Sequence, residues 1–555
     1  MGDLKTLIST LSGYVWGWPD VAPLLILILL GTGLTATFYM GWIQIRRFRH
    51  GVNVIRGRYD NPEDEGDITH FQALTTALSA TVGIGNIAGV ATAIHYGGPG
   101  ALFWMWVTAV FGMALKYVEC TLSMRFREIL PGGEASGGPM YYIEKGLGRR
   151  WKPLAVFFAV CAVISSFGQG NAVQAFTVAD QFRADLGVPT WLTGLVMVTL
   201  VGLVILGGIR RIGSVTSRLA PFMAVTYVAA GLYVLMGNYA QLPAVIAGIV
   251  RSAFEPAAQV GGFAGGTFIF VLTWGVKRGL FSNESGQGSA PIAHAAAKTK
   301  EPVREGVVAM LGPFVDTLVI CTITGLVILT TGVWTERKEE LLSLGPQAAI
   351  TAVAEGVRPG RNGEIPDQAL FTGEIRLTAG RPEGVSFVRN HSVVEEPVVL
   401  VGGEGPYDGT ITAQAGEIDW SGLPGLSLHG KMAQNGSPLT AWAFQRGLGF
   451  AKGFGHYVVT LAVFLFGVST AISWSYYGDR AATYLAGPGL VRPYKVVYLA
   501  MHFLGAVFPL EFVWGFGDVA LGLMALPNLI AIVFLLPVVR VMTREYFSRE
   551  QIPYR

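Results

Sequence analysis

Ser79-Ala80-Thr81-Val82-Gly83-Ile84-Gly85-Asn86 sits in the middle of an apolar run at 71–95, and its reading decides the fold. Two glycines one residue apart weaken a helix by about 1 kcal/mol each relative to alanine. The flanking hydroxyls and amide can satisfy, or compete for, the backbone groups that a break would free. If the run crosses a bilayer, a broken helix at mid-depth is tolerated only where it lines a protein-buried or watery cavity. There, exposed N–H groups of the outer half-helix suit a carboxylate, and freed carbonyls suit a cation. The alternative is a glycine packing contact against a neighbouring helix.

The composition around this stretch favours a membrane. The chain has 555 residues, 51% hydrophobic and only 14% charged, with mean hydropathy +0.47. Soluble chains carry about 25% charged residues. Seventy-three glycines show no collagen-like period, and small residues allow close approach of transmembrane helices. A net charge of +3, scattered along the chain, excludes a nucleic-acid partner. Cys120, Cys161 and Cys321 all fall in apolar runs, which predicts free buried thiols rather than disulfides.

Eleven runs approach the length of about 20 residues that a bilayer needs. They lie at 22–44, 71–95, 99–124, 153–177, 190–209, 219–237, 262–282, 306–332, 453–486, 493–511 and 516–540. A basic cluster follows the first run and none precedes it, so it reads as a retained helix rather than a signal peptide. Every second connection is basic: Arg46 to Arg58, Arg125 to Lys152, Arg210 to Arg218, Lys298 to Arg304, Arg480 to Lys495, and Arg540 to Arg549. This alternation puts the N-terminus outside and the C-terminus in the cytoplasm of a multi-pass cell (inner) membrane protein. The predicted class is an all-α polytopic membrane protein.

Residues 335–446 interrupt the pattern, dividing the membrane domain into 1–334 and 447–555. The segment holds nine basic and fourteen acidic residues, net −5, which leaves +8 for the rest. Short runs such as Val398–Val401 between glycine and proline turns predict a β-rich or α+β extracellular insertion, with a helix at 343–356. A disordered loop is the alternative.

No HExxH, CxxC or GxxxxGK[ST] occurs, and the eight histidines are scattered, so no enzyme is expected. Three more polar interruptions lie in apolar runs. Thr273-Trp274-Gly275 in the seventh run suggests a second break with an aromatic lid. The second and seventh runs lie five apart, as a five-plus-five inverted repeat requires. Lys277, Arg278 and Glu284 are expected at the cytoplasmic mouth, where they can pair. Phe466-Gly467-Val468-Ser469-Thr470 in the ninth run offers hydroxyl oxygens suited to Na+, unless they bond back to their own helix. Gln169, Asn171 and Gln174 in the fourth run serve either as interhelical links or as substrate contacts. No other charged group is expected near mid-depth in these runs, and Lys116 can pair with Glu119 three residues on. That absence favours Na+ over H+.

At these residues the chain resembles the alanine or glycine:cation symporter family. Gly97-Gly98-Pro99-Gly100-Ala101-Leu102-Phe103-Trp104-Met105-Trp106-Val107-Thr108-Ala109-Val110-Phe111-Gly112 is similar to that family's diagnostic stretch. Gly279 to Pro291 and Ser473 to Gly478 resemble two further family blocks. The resemblance implies a leucine-transporter-like core of ten helices plus one, and sodium-driven uptake of alanine or glycine by alternating access. By the same resemblance, the backbone of Thr81, Gly83 and Gly85 holds the substrate carboxylate, and Gln169, Asn171, Thr273, Trp274 and Trp474 face the substrate. Na+ is implied between carbonyls of Ser79, Val82 and Phe466 and the hydroxyls of Ser469 and Thr470, with Asn86 at a second sodium. The family often has threonine where Ile84 stands, and the 335–446 insertion is not an ordinary family feature. A carrier of a larger zwitterion such as glutamine, or a non-transporting sensor using the insertion, is the competing expectation.

Overall fold

A computed structural model describes residues 2–553, apart from 20–22, 256–258, 261–262, 265–267, 345–349, 358–364, 390–391, 421–424, 450–452 and 508–509. Each of the eleven apolar runs carries helix in its described residues. α1 (Gly2–Gly17), which no apolar run announces, packs against the last helix of the chain and buries Trp16. Next come α2 (Leu24–Tyr39), α3 (His70–Thr81), α4 (Val90–Gly97) and α5 (Gly100–Phe126). α6 (Lys152–Phe167) continues through a π-helical turn at Gly168–Ala172 into α7 (Val173–Leu186). α8 (Thr190–Ile205), α9 (Gly208–Gly237), α10 (Phe268–Asn283) and the short α11 (Ala290–His294) follow.

α12 (Pro302–Ala309) runs through a second π-helical stretch, Phe314–Cys321, into α13 (Thr322–Thr331). The last residues of the polar insertion form α14 (Gly436–Gly447), and α15 (Gly455–Ala486), α16 (Val491–Val507) and α17 (Leu510–Ser548) follow it. Among the described residues, six helical units are long and apolar enough to cross a bilayer. The bent pair 70–81 and 85–97 makes a seventh when read as one span, and α2 and α8 are apolar but only 16 residues long. One buried apolar core unites the helices. All three cysteines are free and buried within the helical body, as expected.

The insertion is β structure with a core of its own. Its strands are β1 (Lys338–Ser343), β2 (Ile350–Ala354), β3 (Gly373–Thr378), β4 (Arg381–Pro382), β5 (Val385–Arg389) and β6 (Ser392–Val393). They continue with β7 (Glu395–Val401), β8 (Gly405–Pro406), β9 (Gly409–Gln414), β10 (Glu417–Asp419) and β11 (Leu426–Met432). One antiparallel sheet has the order β6-β5-β2-β10-β9-β3-β4, and the other β8-β7-β11-β1.

The helix expected at 343–356 is therefore not there. Residues 350–354 pair with β5, residues 345–349 lie outside the described residues, and β-branched Ile350, Thr351 and Val353 favour the pleated surface. Lys338 pairs with Met432, so the chain enters and leaves the β module at adjacent positions. α14 then packs on the second half of the bent pair, where Thr440 Oγ1 donates to the Ile87 carbonyl at 3.0 Å.

Candidate functional site

α3 begins at a capping box, with Thr69 and Gln72 satisfying each other's backbone. It ends at Val82 (φ −72, ψ 85), and the chain resumes as a π-helical turn at Gly85–Gly89 that leads into α4. The two halves meet at 53°. The Gly83 N–H, freed by the break, donates to Asn86 Oδ1 at 2.9 Å. A Cβ on Gly83 would stand 2.6 Å from Thr470 Oγ1 and 3.5 Å from Gln174 Oε1. Only glycine lets α15 and α7 come this close to the break.

The break and α15 share their oxygens. Ser469 Oγ and Thr470 Oγ1 each donate to the Ser79 carbonyl at 3.2 Å, and the Ser79 and Ser469 hydroxyls bond each other. Val82 and Phe466, three residues from Ser79 and Ser469 on the same two segments, are buried beside them. This is a cluster of hard, uncharged oxygens fully withdrawn from solvent.

The substrate candidates divide into groups. Gln169 and Gln174 lie at the π-helical turn of the fourth run, each with a buried Oε1 that lacks a hydrogen-bond partner. Asn171 instead spends both ends of its amide on α16, donating to the Tyr498 carbonyl at 2.7 Å and bonding His502. The Trp474 ring covers Gly170, where any Cβ would collide with it. Trp274 stacks on Tyr96 with centroids 4.3 Å apart and meets the edge of Phe270. Thr273 is half-buried on the same helix.

The seventh run breaks at a different place from the one its sequence suggests. α10 passes unbroken through Thr273-Trp274-Gly275 and ends at Asn283. Gly275 is a packing glycine: a Cβ there would lie 2.5 Å from both the Ala101 carbonyl and Trp104 Cβ. The interruption comes at 284–289, where Glu284 (φ 54), Gly286 (φ 81) and Gly288 (φ 85) take left-handed backbone.

Glu284 consequently sits inside the body, not at a mouth beside Lys277 and Arg278. It is 3% exposed and accepts from Trp474 Nε1 at 2.9 Å and Ser289 Oγ at 2.6 Å. Arg278 lies over the rings of Trp274 and Phe281, and Lys277 over Trp16.

One further expectation about charge fails, and an acid of the eighth run comes to the break. Asp316, on the π-helical stretch after α12, is buried against the break. It takes Asn86 Nδ2 at 2.6 Å on one oxygen, and Ser282 Oγ (2.8 Å) and Thr317 Oγ1 (2.7 Å) on the other. Lys116 and Glu119 do not bond each other: Glu119 accepts from Asn528 at 2.8 Å, and Lys116 Nζ has no hydrogen-bond partner. Side chains three apart share a helix face, but Glu119 turns one oxygen to Asn528 on α17 and leaves Oε1 without a hydrogen-bond partner. Buried ionisable groups are thus present in the helical body. The sequence signal for Asp316 is an acid inside an apolar run.

The profile of the sodium:alanine symporter family matches residues 1–359 and 423–553. The chain is 36% identical to an uncharacterized transporter of Haemophilus influenzae, over 99% of this chain and 97% of that one. It is 37% identical to the sodium/alanine symporter AgcS of Methanococcus maripaludis, over 97% and 96%. A probable sodium/glutamine symporter, GlnT of Bacillus subtilis, is 30% identical over 99% and 92%.

Proposed function

The chain belongs to the sodium:alanine symporter family, and from that membership we propose a sodium-coupled symporter that imports alanine, glycine or a similar small neutral amino acid by alternating access. The observation that carries the proposal is the meeting of the Ser79 carbonyl with the Ser469 and Thr470 hydroxyls at a broken helix. Uncharged oxygens can replace the water around Na+ and let it go again, which a cargo ion requires. In this reading Ser79, Val82, Phe466, Ser469 and Thr470 hold one sodium. A second is assigned to the oxygens around Asn86, with Ser282, Asp316 and Thr317.

The amino acid's carboxylate is assigned to the backbone at Thr81, Gly83 and Gly85, between the end of α3 and the positive end of the second half-helix. The open acceptors of Gln169 and Gln174 suit its ammonium group. Trp274 and Trp474 wall the site with Thr273, and Asn171 fixes the wall through α16. Eleven crossings, with the N-terminus outside, agree with the alternating basic connections. An interruption within the second run and another just after the seventh support a five-plus-five inverted repeat.

Small substrates are favoured because Trp474 crowds Gly170 and the buried Ile84 stands between the two glycines in the chain. The similarity to a probable sodium/glutamine symporter motivates the second reading, a larger zwitterion. Radiolabelled alanine uptake into proteoliposomes, challenged with a panel of D- and L-amino acids, tests both. Competition by glycine and alanine but not glutamine is expected; the reverse order would replace the first reading by the second.

A further inference from the structure

The π-helical turn Gly168–Ala172 carries Gln169 and leads into Gln174, the two side chains with open buried acceptors. Two helices hold this turn. From α15, Trp474 lies against Gly170, where a Cβ would stand 2.2 Å from its Cγ. From α16, Gly505 comes so near that a Cβ on it would meet Ala172 Cα at 2.6 Å. Asn171 is fixed to α16 as well, through the Tyr498 carbonyl and His502.

The side chain of Tyr498 reaches from α16 to both the turn and α15. It is fully buried. Its hydroxyl stands 2.7 Å from the Ala471 carbonyl on α15 and 3.2 Å from the Gly170 carbonyl in the turn. Ala471 follows Thr470 directly, so one end of this bridge adjoins the oxygens proposed for sodium. A phenol has one hydrogen to donate, and the distances give the stronger bond to Ala471. A buried tyrosine hydroxyl bonded to one carbonyl is ordinary core chemistry. Tyr498 differs because its two acceptors belong to two different proposed sites.

We propose that Tyr498 is a positioning residue that couples the sodium site to the amino-acid site. The inference rests on the carrier reading above and deepens it. On the carboxylate side the broken helix already joins the two sites, since Ser79 and Val82 alternate in the chain with Thr81 and Gly83. Tyr498 joins them on the ammonium side. Sodium held by Ser469 and Thr470 fixes this part of α15, the Ala471 carbonyl fixes the phenol, and the phenol fixes Gly170 between Gln169 and Asn171. The turn is then ordered before alanine arrives, so the amino acid binds more tightly when Na+ is present. By reciprocity, alanine tightens Na+ by the same factor.

Equilibrium binding of radiolabelled alanine to the purified protein, at low and at saturating Na+, measures that factor. Tyr498→Phe keeps the ring and removes the bridge, and the factor should fall about fivefold or more. His502→Gln disturbs Asn171 without touching the bridge, and should weaken alanine binding equally at both Na+ levels. A native factor in Tyr498→Phe, or an equal loss of it in His502→Gln, overturns the inference and leaves the carrier reading intact. If Tyr498→Phe does not fold, hydrogen exchange in the native protein decides. Na+ alone should slow exchange across 168–174, and unchanged exchange there overturns the inference. Alanine binding that is absent from the native protein, or indifferent to Na+, overturns both.

Discussion

Thr470 Oγ1 stands 2.6 Å from the point that a Cβ on Gly83 would occupy. The same hydroxyl donates to the Ser79 carbonyl, so the glycine at the break and the oxygen cluster are one steric unit. Gly83→Ala should therefore push Thr470 from Ser79 and abolish Na+-dependent uptake, at an overpacking cost of roughly 1–3 kcal/mol. Gly85→Ala should be milder for the fold, because its Cβ would meet Ser282 Cα at 3.4 Å. Melting temperatures of the two variants in detergent compare the costs.

Trp474 ties α15 to the 284–289 interruption by donating to Glu284. Trp474→Phe keeps a ring over Gly170 but leaves a buried carboxylate oxygen without that donor. A loss of about 1–3 kcal/mol is expected, visible as a lower melting temperature. An unchanged melting temperature would mean that the bond contributes nothing.

The β module should be removable. Because Lys338 pairs with Met432, the cut ends are roughly 5 Å apart, as neighbours on paired strands are. Replacing residues 338–432 with three glycines should preserve Na+-dependent alanine uptake. Complete loss of uptake in a folded protein would favour the sensor reading, in which the module is the ligand domain.

At the base of the module, Arg446 forms a two-pronged pair with Glu336, at 2.5 and 2.6 Å. The Arg446 hydrogen bonds hold the Glu336 carboxyl below its usual range. Its stabilisation is full above the ordinary glutamate value near 4.3 and fades as pH falls through the lowered folded value. Solvent screening limits this to a few tenths of a kcal/mol. Glu336→Gln should lower the melting temperature slightly at pH 7 and leave it unchanged relative to the native chain at the acid end.

The break at 83–85 was legible because two glycines beside hydroxyls and an amide oppose a helix by their own chemistry. The Ser469–Thr470 cluster was legible for the same reason, once a partner was sought. The seventh run misled because Gly275 resembles Gly286 in sequence, and only the approach of Ala101 and Trp104 reveals a packing role. Glu284 was misjudged because the partner that makes a buried acid tolerable, Trp474, lies about two hundred residues away. The β module announced its strands but not its register, since pairings such as β2 with β10 join distant segments.

The central claim is that Na+ binds where Ser79, Ser469 and Thr470 meet. Thr470→Val keeps the shape and removes one oxygen, so the Na+ dependence of alanine uptake in proteoliposomes reads the site directly. The account predicts that the Na+ concentration for half-maximal uptake rises about tenfold or more, the equivalent of one lost contact of about 1.4 kcal/mol. A variant with native Na+ dependence would contradict it.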